Sequence, residues 1–327
     1  MTRLNQFDIL KAIGIILVIV GHTIGYNIVR NMICSFHMPL FFLVSGYFFS
    51  VKAPLPLFKK LYKRLLIPYL LSCSIIILLN VIIVMHTRTF DAHYLLNWLQ
   101  SIVYGNGVTT GTQFQSIGPL WFLLALFWST IILHLLLYFQ QYVSPIFTSI
   151  LCVITALYLS DHKITLPLSI SQGMFGVGFL YIGYLVKQHY PSITSRSKLE
   201  LIPIAIIWIV GFKSGYLSVV QCYAKPELAT LAGAVCGTYL AYVMSNHIAQ
   251  KENKLCSIFT YIGRMTLLIL CVHSIEDSVV PWQNYINNIE LNHYLSSSFI
   301  ISIRILLVIS FSWILLKIKI VQKIFST

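Results

Sequence analysis

Residues 7–22 read FDILKAIGIILVIVGH. Asp8 and Lys11 stand one helical turn apart at one end, where they can pair, and His22 stands at the other. The ten residues between Lys11 and His22 carry no charge. A run of this kind, about 20 residues long, is what a membrane-crossing helix requires. The rest of the chain repeats the theme. Of 327 residues, 57% are hydrophobic and 9% charged, and mean hydropathy is +0.82. Soluble domains carry about a quarter charged residues, so this composition excludes an ordinary soluble fold. It predicts an all-α, polytopic membrane protein, a single domain over 1–327. The first apolar run is too long for a signal-peptide core, and no small-residue cleavage site follows it.

Ten spans are expected, at roughly 7–29, 32–51, 65–85, 118–139, 145–160, 168–187, 200–216, 228–247, 258–280 and 296–316. With the N-terminus inside, fourteen Lys and Arg fall on the cytoplasmic side and five on the outer side. That bias predicts both termini in the cytoplasm. The net charge of +13 is spread over short loops with no basic patch interleaved with aromatics, so no nucleic-acid partner is expected. The seven cysteines form no CxxC pair and read as packing thiols. Without an internal repeat, a transporter built from inverted halves is not favoured.

Polar residues inside spans cost about 2.5–3.5 kcal/mol each when charged, so each needs a reason. His22 lies near the outer end of the first span, and the stretch SFHMPLFFLVSGYF (35–48) places His37 near the outer end of the second. A tight hairpin at 30–31 would set the two at matching depth, and His273 and Arg304 fall in the outer halves of spans nine and ten. Pro39 predicts a kink beside His37, and Ser45 and Gly46 a close helix approach. A serine nucleophile at Ser45 is not favoured, because that residue lies well below the histidines. No HExxH spacing occurs and no acid is expected at their depth, so no metal is expected. Two outer segments are candidate binding surfaces. The loop 86–117 combines an amphipathic piece (93–104) with a polar Gly/Thr/Gln stretch, and 274–293 is rich in Asn, Asp, Glu and aromatics, side chains suited to sugars. At the inner face, FKKLYKRLLIPYL puts Lys60 and Arg64 on one helical face, a pattern that serves phosphate binding or merely membrane orientation.

The order FDILKAIGIILVIVGH, FHMPLFFLVSGYFF, KRLLIPYL, LWFL and IGRMTLLILCVH resembles the acyltransferase-3 family of integral membrane O-acyltransferases, most of all its fucose 4-O-acetylase-like branch. The resemblance runs over residues 1 to about 275. It implies about ten spans and transfer of an acyl group, usually acetyl from acetyl-CoA, to a cell-surface glycan or lipid-linked sugar in a bacterial cytoplasmic membrane. It also implies a catalytic His22, functional Asp8 and Lys11, and a basic pair at Lys60 and Arg64; many members have Arg where this chain has Lys11. On this reading Lys11, Lys60 and Arg64 hold the phosphates of acetyl-CoA and the pantetheine arm runs inward. His22 is the general base or a transient acyl carrier, and His37, His273 and Arg304 complete the outer cluster. The competing expectations are a transporter or flippase for an acyl or lipid-linked sugar, and a membrane sensor or scaffold.

Overall fold

The computed structural model describes residues 4–25, 28–87, 92–105, 107, 115–190, 198–289 and 293–325. The helices in chain order are α1 (Asn5–Thr23), α2 (Ile28–Cys34), α3 (His37–Tyr47), α4 (Pro54–Leu61), α5 (Ile67–Thr87), α6 (Ala92–Tyr104), α7 (Trp121–Tyr138) and α8 (Pro145–Asp161). They continue as α9 (Ile170–His189), α10 (Lys198–Ser214), α11 (Glu227–Gln250), α12 (Lys254–Arg264), α13 (Thr266–Val279), α14 (Trp282–Asn288), α15 (His293–Leu315) and α16 (Lys319–Phe325). A π-helical turn, Tyr62–Leu66, joins α4 to α5, and a 3₁₀ turn, Gly118–Leu120, leads into α7 at the Gly-Pro break. The described strands are a short antiparallel hairpin, β1 (Tyr216–Ser218) and β2 (Tyr223–Lys225). It is tied to α8 by Lys225–Asp161 at 3.0 Å and to α9 by Gln172 donating to the Val220 carbonyl at 2.8 Å.

Every expected span falls on a helix. Among the described residues seven helical runs are long and apolar enough to cross a membrane, and α12–α13, bent by 68° at Met265, is an eighth if the pair is taken as one span. The other two, α8 and α10, have 17 residues each. At 1.5 Å per residue that is about 26 Å, short of a typical hydrocarbon core. The expected piece at 93–104 is α6, whereas most of the polar stretch that follows it lies outside the described residues.

The spans divide by burial. About 67% of the α1 span is buried and only 22% of the α15 span, so α1 is a central post and α15 presents most of its surface to lipid. α1 packs against α3, α11, α12, α13 and α15. The α3–α9 crossing is set by glycines, as the Ser45-Gly46 pair predicted. A Cβ on Gly46 would lie 1.9 Å from the Leu180 carbonyl oxygen, and one on Gly183 would lie 2.0 Å from that of Leu43.

The second span departs from expectation. α1 ends at Thr23, with Ile24 already extended, and α2 begins at Ile28, so the reversal precedes the expected hairpin at 30–31. The apolar Ile28 and Val29 read as the end of the first span, but they open the second. That span is also broken at Ser35-Phe36. The Pro39 ring meets the carbonyl of the residue four back, Ser35, so the helix parts there rather than at the proline. Ser35 caps the break by donating to the Met32 carbonyl at 2.7 Å and accepting from the Trp208 indole at 2.9 Å.

Gly183→Val is expected to lower stability by about 1–3 kcal/mol or more, read as a fall in the thermal unfolding midpoint of the purified protein. Gly25→Ala, with nothing within 4 Å of the added carbon, serves as its control.

Candidate active site

A buried guanidinium organises the end of the bundle where α1 closes. Arg304, on α15, is 1% exposed. Its Nε and Nη2 donate to Glu276 Oε1 at 3.1 and 2.7 Å, Nη2 also to Asp277 Oδ1 at 2.5 Å, and Nη1 to Thr23 Oγ1 at 3.0 Å. Four of the five donors of an arginine are thereby engaged. Its guanidinium carbon lies 5.2 Å from the Trp282 ring centre, and the Trp282 indole donates to Glu276 Oε2.

Both carboxylates hold histidines. Asp277 Oδ2 lies 3.2 Å from His22 Nδ1, and Glu276 Oε1 lies 2.7 Å from His273 Nδ1. A carboxylate only accepts, so each pairing puts the proton on Nδ1 and leaves Nε2 with its lone pair. His273 is fully buried, and its Nε2 has no hydrogen-bond partner among the described residues. The two imidazoles meet edge to face, centres 5.3 Å apart. His22, at the end of α1, keeps about 32% of its side chain exposed. The nitrogens of His22 and His273 and an oxygen of Asp277 lie within 4.8 Å of one another, a set that could also hold a metal ion.

His37 is not at the depth of His22. Phe7 packs on Tyr47 and Phe48 at 4.6 and 4.9 Å between ring centres, and Gly14 faces Phe41. That antiparallel register sets His37 beside Val18, one turn or about 6 Å below His22. The earlier reversal accounts for the shift. The His37 Nδ1–H donates to the Ile33 carbonyl at 2.9 Å, bridging the break between α2 and α3.

At the other end of α1, Lys11 Nζ lies 2.7 Å from Asp8 Oδ1, the expected pair, and Arg264 Nε lies 3.5 Å from Asp8 Oδ2. α12 comes this close because Gly263 has no side chain: a Cβ there would lie 1.8 Å from the Asp8 carbonyl oxygen. Asp8, 4% exposed, is therefore a buried counter-ion between two cations. Beside it opens a cavity of about 410 Å³. Lys11, Lys60 and Arg64 all line it, joined by Lys52 and Arg264, so five cations surround one mouth. Asp8 is not among its lining residues. Inward, the walls turn apolar, through Ile15 and Val18 of α1, Met38 and Phe41 of α3, Phe122 of α7 and Leu270 of α13.

A basic mouth leading along an apolar shaft toward a His–carboxylate pair fits group transfer from a phosphate-bearing donor. Comparison with known families agrees: residues 4–318 match the acyltransferase domain of acyltransferase-3. The chain belongs to the acyltransferase-3 family. No curated protein and no solved structure matches it.

Within this acyltransferase-3 domain the sequence reading missed both acids. It took 274–293 for a candidate sugar-binding surface and expected no acid at the depth of the histidines, although its ninth span, 258–280, already contained both. α13 runs to Val279, so Glu276 and Asp277 lie three and four residues beyond His273 on its own face. That i, i+3, i+4 spacing in HSIED is the signal that could have found them. Lys52 and Arg264 were also missed, since Arg264 lay inside a presumed straight span that bends at Met265.

Removing the guanidinium leaves two carboxylates without their buried cation. Arg304→Met is expected to cost about 3–5 kcal/mol, seen as a large drop in thermal midpoint, with only partial recovery in Arg304→Lys because ammonium lacks the planar fork.

Proposed function

We propose that this acyltransferase moves an acetyl group from cytoplasmic acetyl-CoA to a hydroxyl of a cell-surface polysaccharide or its lipid-linked precursor. On this reading it works in the cytoplasmic membrane of a bacterium, both termini inside, as a member of the fucose 4-O-acetylase-like branch. The observation that carries the proposal is one cavity whose lining runs from five cations to Val18, one helical turn short of His22. Its five-cation mouth suits the phosphates of a CoA, and its shaft follows the α1 face that carries Lys11, Ile15 and Val18 and, four residues on, His22. Lys11 and His22 are eleven residues apart, about 16 Å along the helix, a span for the pantetheine arm.

The chemistry then runs on His22. Asp277 holds its Nδ1–H, so Nε2 faces the reaction as a base. Nε2 takes the proton of the acceptor hydroxyl while that oxygen attacks the thioester carbonyl. The tetrahedral adduct collapses with cleavage of the C–S bond, and the departing CoA thiolate recovers the proton from the imidazolium. Arg304, with most of its donors engaged by Glu276, Asp277 and Thr23, acts as a positioning residue that fixes the Asp277 carboxylate against His22. His273 offers a second unprotonated Nε2 beside His22, and His37 holds the helix break behind the shaft. Trp282, half-buried against Arg304, and the exposed Tyr285 sit on α14 at the outer mouth, where the acceptor sugar would approach.

Metal chemistry at His22, His273 and Asp277 is the less favoured reading. Both Asp277 oxygens are already engaged, one by a guanidinium at 2.5 Å, and a divalent cation there would meet a buried like charge. A chelator is accordingly expected to leave acetyl transfer unchanged, and lost activity restored by added zinc would favour the metal.

Transfer of labelled acetyl from acetyl-CoA by the purified protein is the direct test, since a transporter or flippase would neither transfer nor hydrolyse the thioester. His22→Ala is expected to abolish transfer, and Asp277→Asn to lower kcat by about 10²–10⁴-fold. Lys60→Ala with Arg64→Ala is expected to raise KM for acetyl-CoA by about tenfold or more, as loss of charge-assisted phosphate contacts predicts. A folded His22→Ala protein with full activity would sink the mechanism. Mass spectrometry of the surface glycan with and without the gene identifies the acceptor.

A further inference from the structure

The shaft stops short of the imidazoles. Its last lining residues are Val18 on α1, Met38 on α3 and Leu270 on α13, which are 1%, 7% and 5% exposed. Val18 and Leu270 lie about one turn below the cluster on their own helices, and Met38 lines the same cavity from α3. Val18 is four residues before His22, Leu270 is three before His273, and Met38 follows His37. Three helices therefore close a collar of apolar side chains between the cationic mouth and the His–Asp pair. Their rise puts it about one turn below His22.

We propose that this collar selects the acyl group of the donor by length. The inference rests on the donor assignment of the preceding section. In an acyl-CoA the acyl group is the tip furthest from the phosphates. With the phosphates held at Lys60 and Arg64, the tip meets the collar first, and every carbon beyond the carbonyl must be housed past it for the carbonyl to reach His22. Past it stand His22, His273, Asp277 and the buried Arg304 network, polar groups that offer no apolar wall to a tail. Met38, unbranched and adaptable, yields to a two-carbon tip. A longer tail presses on Val18 and Leu270, which have nowhere to move in a packed core. A single methylene misfit is worth about 10–200-fold in discrimination, enough for such a collar to set donor choice without any polar contact.

Inverted membrane vesicles from cells making the full chain expose the cytoplasmic face to added donor. Supplied with radiolabelled acetyl-CoA or butyryl-CoA, vesicles with the wild-type chain are expected to label their glycan from acetyl-CoA at least about tenfold faster. Met38→Ala and Leu270→Ala are each expected to shift that ratio toward butyryl by about tenfold or more. Both donors are read on the same protein, so a misfolded fraction lowers both rates alike and leaves the ratio intact. An unchanged ratio in both variants, or a wild type that uses butyryl-CoA as readily as acetyl-CoA, would overturn the collar. No label from either donor with the wild type would instead overturn the donor assignment, and the collar with it.

Discussion

A guanidinium buried to 1% exposure inside a membrane bundle must be matched, and the match fixes the outer half of this protein. Arg304 is satisfied by two carboxylates of one helix and a hydroxyl at the end of another. Those contacts hold α15, α13 and the C-terminal end of α1 in one arrangement. Asp277 has its second oxygen left for His22, and Glu276 Oε1 is shared between Arg304 and His273. The arginine and two acids sum to a single negative charge, which an imidazolium at His22 would neutralise at the proposed proton transfer. In this sense the ionic cluster costs desolvation and returns a site whose charge is complementary to its intermediate.

The inner half solves a different problem. Five cations around one mouth repel one another, and one buried acid, Asp8, offsets part of that repulsion from between Lys11 and Arg264. The bend at Met265 is what brings Arg264 there: a straight ninth span would carry it past α1. The 68° turn lets α12 lie against the start of α1 at Gly263 while α13 rises to bring His273 to His22. One broken helix thus serves both ends of the shaft.

Much of this was legible in the sequence. Asp8 and Lys11 at one turn pair as expected, Lys60 and Arg64 meet Lys11 at one cavity, and Ser45-Gly46 marks a close helix crossing. His273 and Arg304 do approach His22, because span order and depth are one-dimensional quantities that hydropathy reports well. Depth across a hairpin was less legible, since Ile28 and Val29 are apolar whichever span owns them, and so His37 was set a turn too high. Glu276 and Asp277 were hidden for the opposite reason. They fell inside the expected span 258–280 but also in the polar 274–293 segment, and only a buried cation 28 and 27 residues away in sequence explains why the helix turns them inward. Hydropathy likewise ranks α8 and α10 with the longer helices, although 17 residues fall short of the bilayer's usual thickness.

The central proposal is that the cavity holds the phosphates of a donor at its cations and directs the donor's arm toward His22. An electron cryomicroscopy map of the full chain with acetyl-CoA bound tests it most directly. The phosphates are expected against Lys11, Lys52, Lys60 and Arg64, with the pantetheine arm running along Ile15 and Val18 and the thioester at the His22 imidazole. A nucleotide bound at the outer face, or at the inner mouth with its arm leading away from α1 into lipid, would contradict it.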